Sequence, residues 1–292
     1  MPKQSKQHTL WLLAAASAPL AHFSGCGWLT ALAAAAVIFP LTLLPKDWEG
    51  MPRVLTVLQL LWLGAVAGLL IQNSAAYWPS DQKWVVPLTL LVLAAVTPGQ
   101  SAPRIGAVLA FCVGLLALPV AISGAAHAEP GWLEWRTGSW PTALMAALLF
   151  PALPAAGKGM KLRQCIGVSA LAFLPALLVQ GTISAPVAAV VPDPFYQTAR
   201  TLGYLEPVAA VGMTLSWYAM AVYLFESASL IAKNGDISAK IAPVLTTGTA
   251  FAVLLLKWQP DAQKCLILSI FLWVLIPFLT KIKKAKKDEK RC

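Results

Sequence analysis

A helix that crosses a bilayer needs roughly 20 consecutive apolar residues, and this chain repeats runs of that kind from one end to the other, with its charges confined between them. Runs bounded by charge or by Gly and Pro clusters predict ten helices, at about 9–24, 27–45, 53–73, 83–99, 104–126, 140–156, 162–182, 203–232, 238–256 and 264–281. The first and fourth are short, and ISAPVAAVV at 183–191 is apolar without belonging to a run. Composition excludes a water-soluble globule: 12% of residues are charged and 58% hydrophobic, where a soluble domain carries about 25% charge. The expected fold class is an all-α polytopic membrane protein. Residues 1–280 make a single transmembrane bundle, and 281–292 a polybasic tail.

Loop charge orients the helices, because short cytoplasmic loops carry the Lys/Arg excess. With the N-terminus inside, 17 of the 22 basic residues fall in the cytoplasm: Lys3, Lys6, Lys46, Arg53, Arg104, Lys158, Lys161, Arg163, Lys233, Lys240 and the seven from Lys281 to Arg291. Lys83, Arg136, Arg200, Lys257 and Lys264 remain outside. The net charge of +10 therefore reads as topology and not as a nucleic-acid surface, and both termini are expected in the cytoplasm. The tail KIKKAKKDEKR anchors that topology, and anionic membrane lipid attracts such a run by about 1 kcal/mol per charge near the surface. Trp78, Trp84, Trp132, Trp135, Trp140 and Trp258 fall at helix ends or outer loops, where indole anchors at the interface. Lys3 and Lys6 before LWLLAAASAPLA also fit a signal peptide ending in a weak lipobox at Cys26. Phe23 is a poor residue three before a lipidated cysteine, and the apolar pattern resumes at once, which favours a retained span.

Two runs are interrupted. WPTALMAALLFPALPAAG at 140–157 carries Pro151, Pro154 and Gly157, and the first run carries Pro19, Gly25 and Gly27. Proline removes a backbone donor, and unpaired backbone survives at membrane depth only where it is buried in protein or lines a cavity. Ten helices divide into five and five, repeat one at about 9–126 and repeat two at about 140–281, with breaks in helices 1 and 6. An odd number of spans per repeat inverts the second repeat, and paired breaks point to a small-ligand site. Half-helix ends offer N–H groups to an anion and carbonyls to an ammonium, so a small amino-acid-like ligand is the expected occupant.

The residues at the breaks, Pro19, His22, Ser24, Gly25, Phe150, Pro151 and Pro154, are the ligand-binding candidates, with Ser216 and Tyr223 from the eighth helix. Ser216, Tyr223 and Ser227 share one stripe of that helix, at spacings of seven and four. Glu226 is the one carboxylate well inside a predicted span. Two kinds of role fit it: a partner for a cation, a proton (with Ser227, a coupling group) or a ligand ammonium, or else a structural acid, either protonated or near the inner helix end and reaching toward Lys233. His22 fits equally a ligand site or the outer interface. No catalytic set assembles on one side, so no enzyme is expected. Cys26, Cys112, Cys165, Cys265 and Cys292 are scattered, and neither a disulfide framework, a metal site nor any cofactor is indicated.

Three stretches carry a family likeness: SGCGWLTAL at 24–32, TPGQSAPRIGAVLAF at 97–111 and DPFYQTARTLGYLEPVAAVGMTLSWYAMAVYLFESASLIA at 193–232. Together they resemble the GerAB-type permease subunits of spore germinant receptors, within the amino acid/polyamine/organocation transporter superfamily. The resemblance implies a LeuT-like fold of two inverted five-helix repeats and a nutrient germinant such as an amino acid bound at the breaks. It also implies hetero-oligomeric assembly with other receptor subunits, in a bacterial cell membrane or inner spore membrane. An ion- or proton-coupled secondary transporter of amino acids or amines is the alternative.

Overall fold

The computed structural model describes residues 2–43, 51–78, 83–97, 101–133, 162–235, 237–238, 241–258 and 261–289, and among them every regular element is helical. In chain order these are α1 (Pro2–His22), α2 (Trp28–Leu43), α3 (Arg53–Ile71), α4 (Val85–Val96), α5 (Ala102–Ala126), α6 (Leu162–Ile183), α7 (Ala185–Val190), α8 (Pro194–Thr201), α9 (Glu206–Asn234), α10 (Ile241–Leu256), α11 (Ala262–Ile270) and α12 (Ile276–Glu289). Among the described residues, five helices are long and apolar enough to cross a membrane: Arg53–Tyr77, Ala102–Ala126, Ile166–Ile183, Glu206–Lys233 and Lys264–Lys284. Val85–Val96 and Ile241–Leu256 are apolar but shorter. The described residues are thus those of an all-helical protein with helices apolar enough for a membrane. The expected second break, at Phe150, Pro151, Pro154 and Gly157, lies outside the described residues.

The interruption expected from Pro19, Gly25 and Gly27 falls at the two glycines and not at the proline. Helix α1 runs unbroken through Pro19 to His22, and the interruption comes later, in a turn at Phe23 and a short 3-10 segment, Ser24–Cys26. Gly27 ends that segment with φ +85°, a left-handed conformation that glycine adopts without steric cost. A neighbouring helix bridges the α1 turn just before the proline, between Ala14 and Ala18. The Ser216 hydroxyl, from α9, accepts from the Ala18 amide (2.7 Å) and donates to the Ala14 carbonyl (2.5 Å). Ser17 donates to the same carbonyl (2.9 Å) and lies 2.7 Å from Ser216 Oγ.

Helices α1 and α9 pack together at the centre, with α3, α4, α5 and α10 also against α9, and α5 and α6 also against α1. Small side chains permit the approach: Ala14, Ala15, Ala16 and Ala18 of α1 and Ala219 and Ala221 of α9 are buried. Helices in lipid associate largely through such close packing, since lipid tails are as apolar as leucine. Around the centre, α3 lies on α10 with Gly64 and Gly68 at the contact, where an added Cβ would strike the carbonyl oxygens of Thr246 and Ala250. Trp11, Trp217 and Trp273 are fully buried. Trp84, Trp132 and Trp258 stand partly exposed at or just beyond helix ends, as expected of interfacial anchors.

The final span contains a proline-driven repair. Between α11 and α12, Phe271–Leu275 is a π turn in which the Ile276 amide reaches back to the Phe271 carbonyl. In that register the Leu272 carbonyl would need an amide from residue 277, which is a proline and has none. Gln59 of α3, fully buried, donates its Nε2 to Leu272 at 2.7 Å instead. Replacing Gln59 with leucine should cost about 1–3 kcal/mol, the penalty of an orphaned buried acceptor, read as a lower unfolding midpoint in detergent. In a Pro277→Ala background the restored amide should shrink that loss.

Candidate functional site

At the His22 end of α1, three elements meet on one carboxylate. Asp193 follows α7 and precedes α8, and its Oδ1 accepts from the Tyr196 amide (2.9 Å), capping α8 ahead of Pro194 at the first helical position. Asp193 Oδ2 accepts from His22 Nδ1 (2.7 Å) and from the Tyr77 hydroxyl (2.5 Å). Tyr77, at the end of the 3-10 turn that follows α3, accepts in turn from Trp217 Nε1 of α9 (3.2 Å). His22 and Asp193 are 8% and 5% exposed, so the pair is shielded and its partners are fixed. Burial alone would raise the Asp193 carboxyl; the His22 charge and the hydrogen bonds from His22, Tyr77 and the Tyr196 amide outweigh it and hold the group below its ordinary value. Beside it, Tyr196 donates to Glu206 (2.7 Å), and partial burial with that carboxylate pushes its phenol up to about 12.

A cavity of about 500 Å³ lies next to this centre, between α1, α5, α6, α8 and α9. Ala21 and Phe195, which line it, sit one residue from His22 and two from Asp193. Its other described walls include Val120 and Ala121 of α5, Leu174 and Leu178 of α6, and Gly212 and Met213 of α9. The polar side chains among the described lining residues are Ser17 and Ser216, the pair at the bridged turn of α1. The volume suits a small molecule, and the arrangement can bind and orient one.

The ligand candidates read from sequence separate into three places. Ser216 lines the cavity and accepts from the Ala18 amide, one residue before Pro19, which is not itself a lining residue. His22 joins Asp193 instead, while Ser24 donates to the Ala21 carbonyl (2.6 Å) and Gly25 abuts Ala188 of α7 and Pro194 of α8. Tyr223 lies toward the other end of α9, edge-on to Trp11 (5.0 Å) and His8 (5.6 Å), with Glu226 within electrostatic reach of His8. Ser227 donates to the Tyr223 carbonyl of its own helix (2.7 Å). Phe150, Pro151 and Pro154 lie outside the described residues. Asp193, Tyr77 and Trp217 were missed as partners of His22. An Asp-Pro pair opening an amphipathic stretch is a helix-start signal and could have drawn attention to Asp193; nothing in sequence spacing links it to His22. Compared with known proteins, the chain matches no family model and no curated sequence.

Proposed function

We propose that the chain is a membrane-embedded, permease-like receptor subunit of the nutrient-germinant kind, which binds a small ligand in the cavity beside α1 and passes the change to partner subunits. The observation that carries this reading is the cavity itself, placed where Ser216 of α9 bridges the turn of α1 just before Pro19. A ligand seated there touches α1, α5, α6, α8 and α9 at once, and differential contact with two arrangements of those helices is what a two-state receptor requires. The ten-span, two-repeat LeuT-like frame with cytoplasmic termini belongs to the same proposal. It is supported by the way α1, α3, α5 and α6 end, and α9 begins, at one face of the bundle.

The alternative, a coupled secondary transporter, draws support from a separate observation. Helix α1 carries a histidine near each end, one on Asp193 and one in reach of Glu226, as a protein that exchanges protons at both faces would need. The two readings part on transport: labelled amino acid should accumulate in proteoliposomes only under the second. Both require binding, so at least one compound in a thermal-shift screen of amino acids, nucleosides and neutral small molecules should raise the melting temperature of the purified chain. A screen with no stabilising compound removes both.

A further inference from the structure

We infer that the cavity takes an uncharged, mainly hydrocarbon ligand with one hydrogen-bonding group, and that this ligand enters sideways from the bilayer between α5 and α6. The inference rests on the reading of the cavity as the ligand site. Its described lining has no charged side chain, and its hydroxyls are those of Ser17 and Ser216. A zwitterion would therefore bring two charges into apolar surroundings without partners, which is strongly unfavourable. Among the described residues, the charged pair beside the cavity is already committed: Asp193 Oδ2 holds His22 and Tyr77, and Oδ1 holds the α8 amide. In the α1 turn beside the cavity the Ala14 carbonyl and the Ala18 amide are taken as well, both by Ser216. What the site offers is apolar wall and one hydroxyl pair able to accept a hydrogen bond.

The mouth of the cavity points the same way. Leu174 of α6 is 55% exposed, and Ala121 and Ala125 of α5 are exposed, yet all three line the cavity. On a span in lipid, exposed leucine and alanine face hydrocarbon, so the opening between α5 and α6 meets the bilayer. A compound that partitions into lipid reaches it directly.

Thermal melts of the full chain in lipid nanodiscs, with 2-phenylethanol and with phenylalanine as probes, test this. The expected result is a saturable rise in melting temperature with 2-phenylethanol and none with phenylalanine. The rise should vanish in Gly212→Leu, which fills the cavity, and should develop more slowly after the probe is added in Ala121→Phe, which narrows the exposed mouth and leaves the buried packing alone. A response to phenylalanine alone overturns the inference while leaving the ligand-site reading intact. No response to either probe overturns the inference, and the wider screen then decides the ligand-site reading separately. An equally fast onset of the rise in Ala121→Phe, or a phospholipid that copurifies with wild type and is lost in that variant, also overturns it.

Discussion

Replacing Asp193 with alanine should cost about 3–5 kcal/mol of stability, the loss expected when one partner of a buried ion pair is removed and the other is left uncompensated. Three donors would be stranded at once: His22, the Tyr77 hydroxyl and the Tyr196 amide that starts α8. Tyr77→Phe should cost less, about 1–3 kcal/mol, because it removes one hydrogen bond and leaves the ion pair standing. Equilibrium unfolding in mixed micelles measures both, and an Asp193→Ala variant within about 0.5 kcal/mol of wild type, as for an ordinary surface substitution, would mean that the pair is not buried. The same carboxylate sets an acid limit. Its native value is depressed, so its contribution to stability is fully present above the ordinary aspartate range, near about pH 4, and is lost as pH falls through the lower native value. The wild-type acid-unfolding curve should therefore steepen below about pH 4, and that steepening should be absent in Asp193→Asn.

The double substitution Gly64→Leu with Gly68→Leu should destabilise by about 3 kcal/mol or more, at or beyond the upper end of overpacking penalties. Both glycines of α3 face backbone carbonyls of α10, at Thr246 and Ala250. A side chain can rotate away from an added group, whereas a helix carbonyl cannot, so α3 and α10 must separate along their length. Gly114→Leu on α5 is the matched control: an added Cβ there meets open space, and its effect should stay within about 0.5 kcal/mol. Equal melting temperatures for the double variant and the control would sink the assignment of α3–α10 as a backbone-to-backbone contact.

Helix positions were legible because they depend on local composition. The runs around 53–73, 104–126, 162–182, 203–232 and 264–281 coincide with helices able to cross a membrane, since hydrocarbon thickness imposes run length whatever the neighbours are. The break at Pro19 was misplaced for the opposite reason. Whether a proline opens a helix depends on how the turn beside it is held by its neighbours, and here that neighbour, Ser216, lies 198 residues from Ala18. Ser216 was singled out and so was Pro19, but as parts of a ligand site and not as partners of one another. His22 looked solitary because no carboxylate stands near it in the chain; Asp193 reaches it across 171 residues.

The amino-acid sequence alone therefore determined that this chain is helical, that it belongs in a membrane and where its apolar helices lie, because those properties follow from segments of about 20 residues read one at a time. Tertiary structure alone decided that α1 stays whole through Pro19, that His22 meets Asp193 and Tyr77, and that a cavity with two serine hydroxyls opens beside them. Each of these depends on which donor reaches which orphaned group across the bundle, and backbone pairing at that range leaves no periodic mark in the chain.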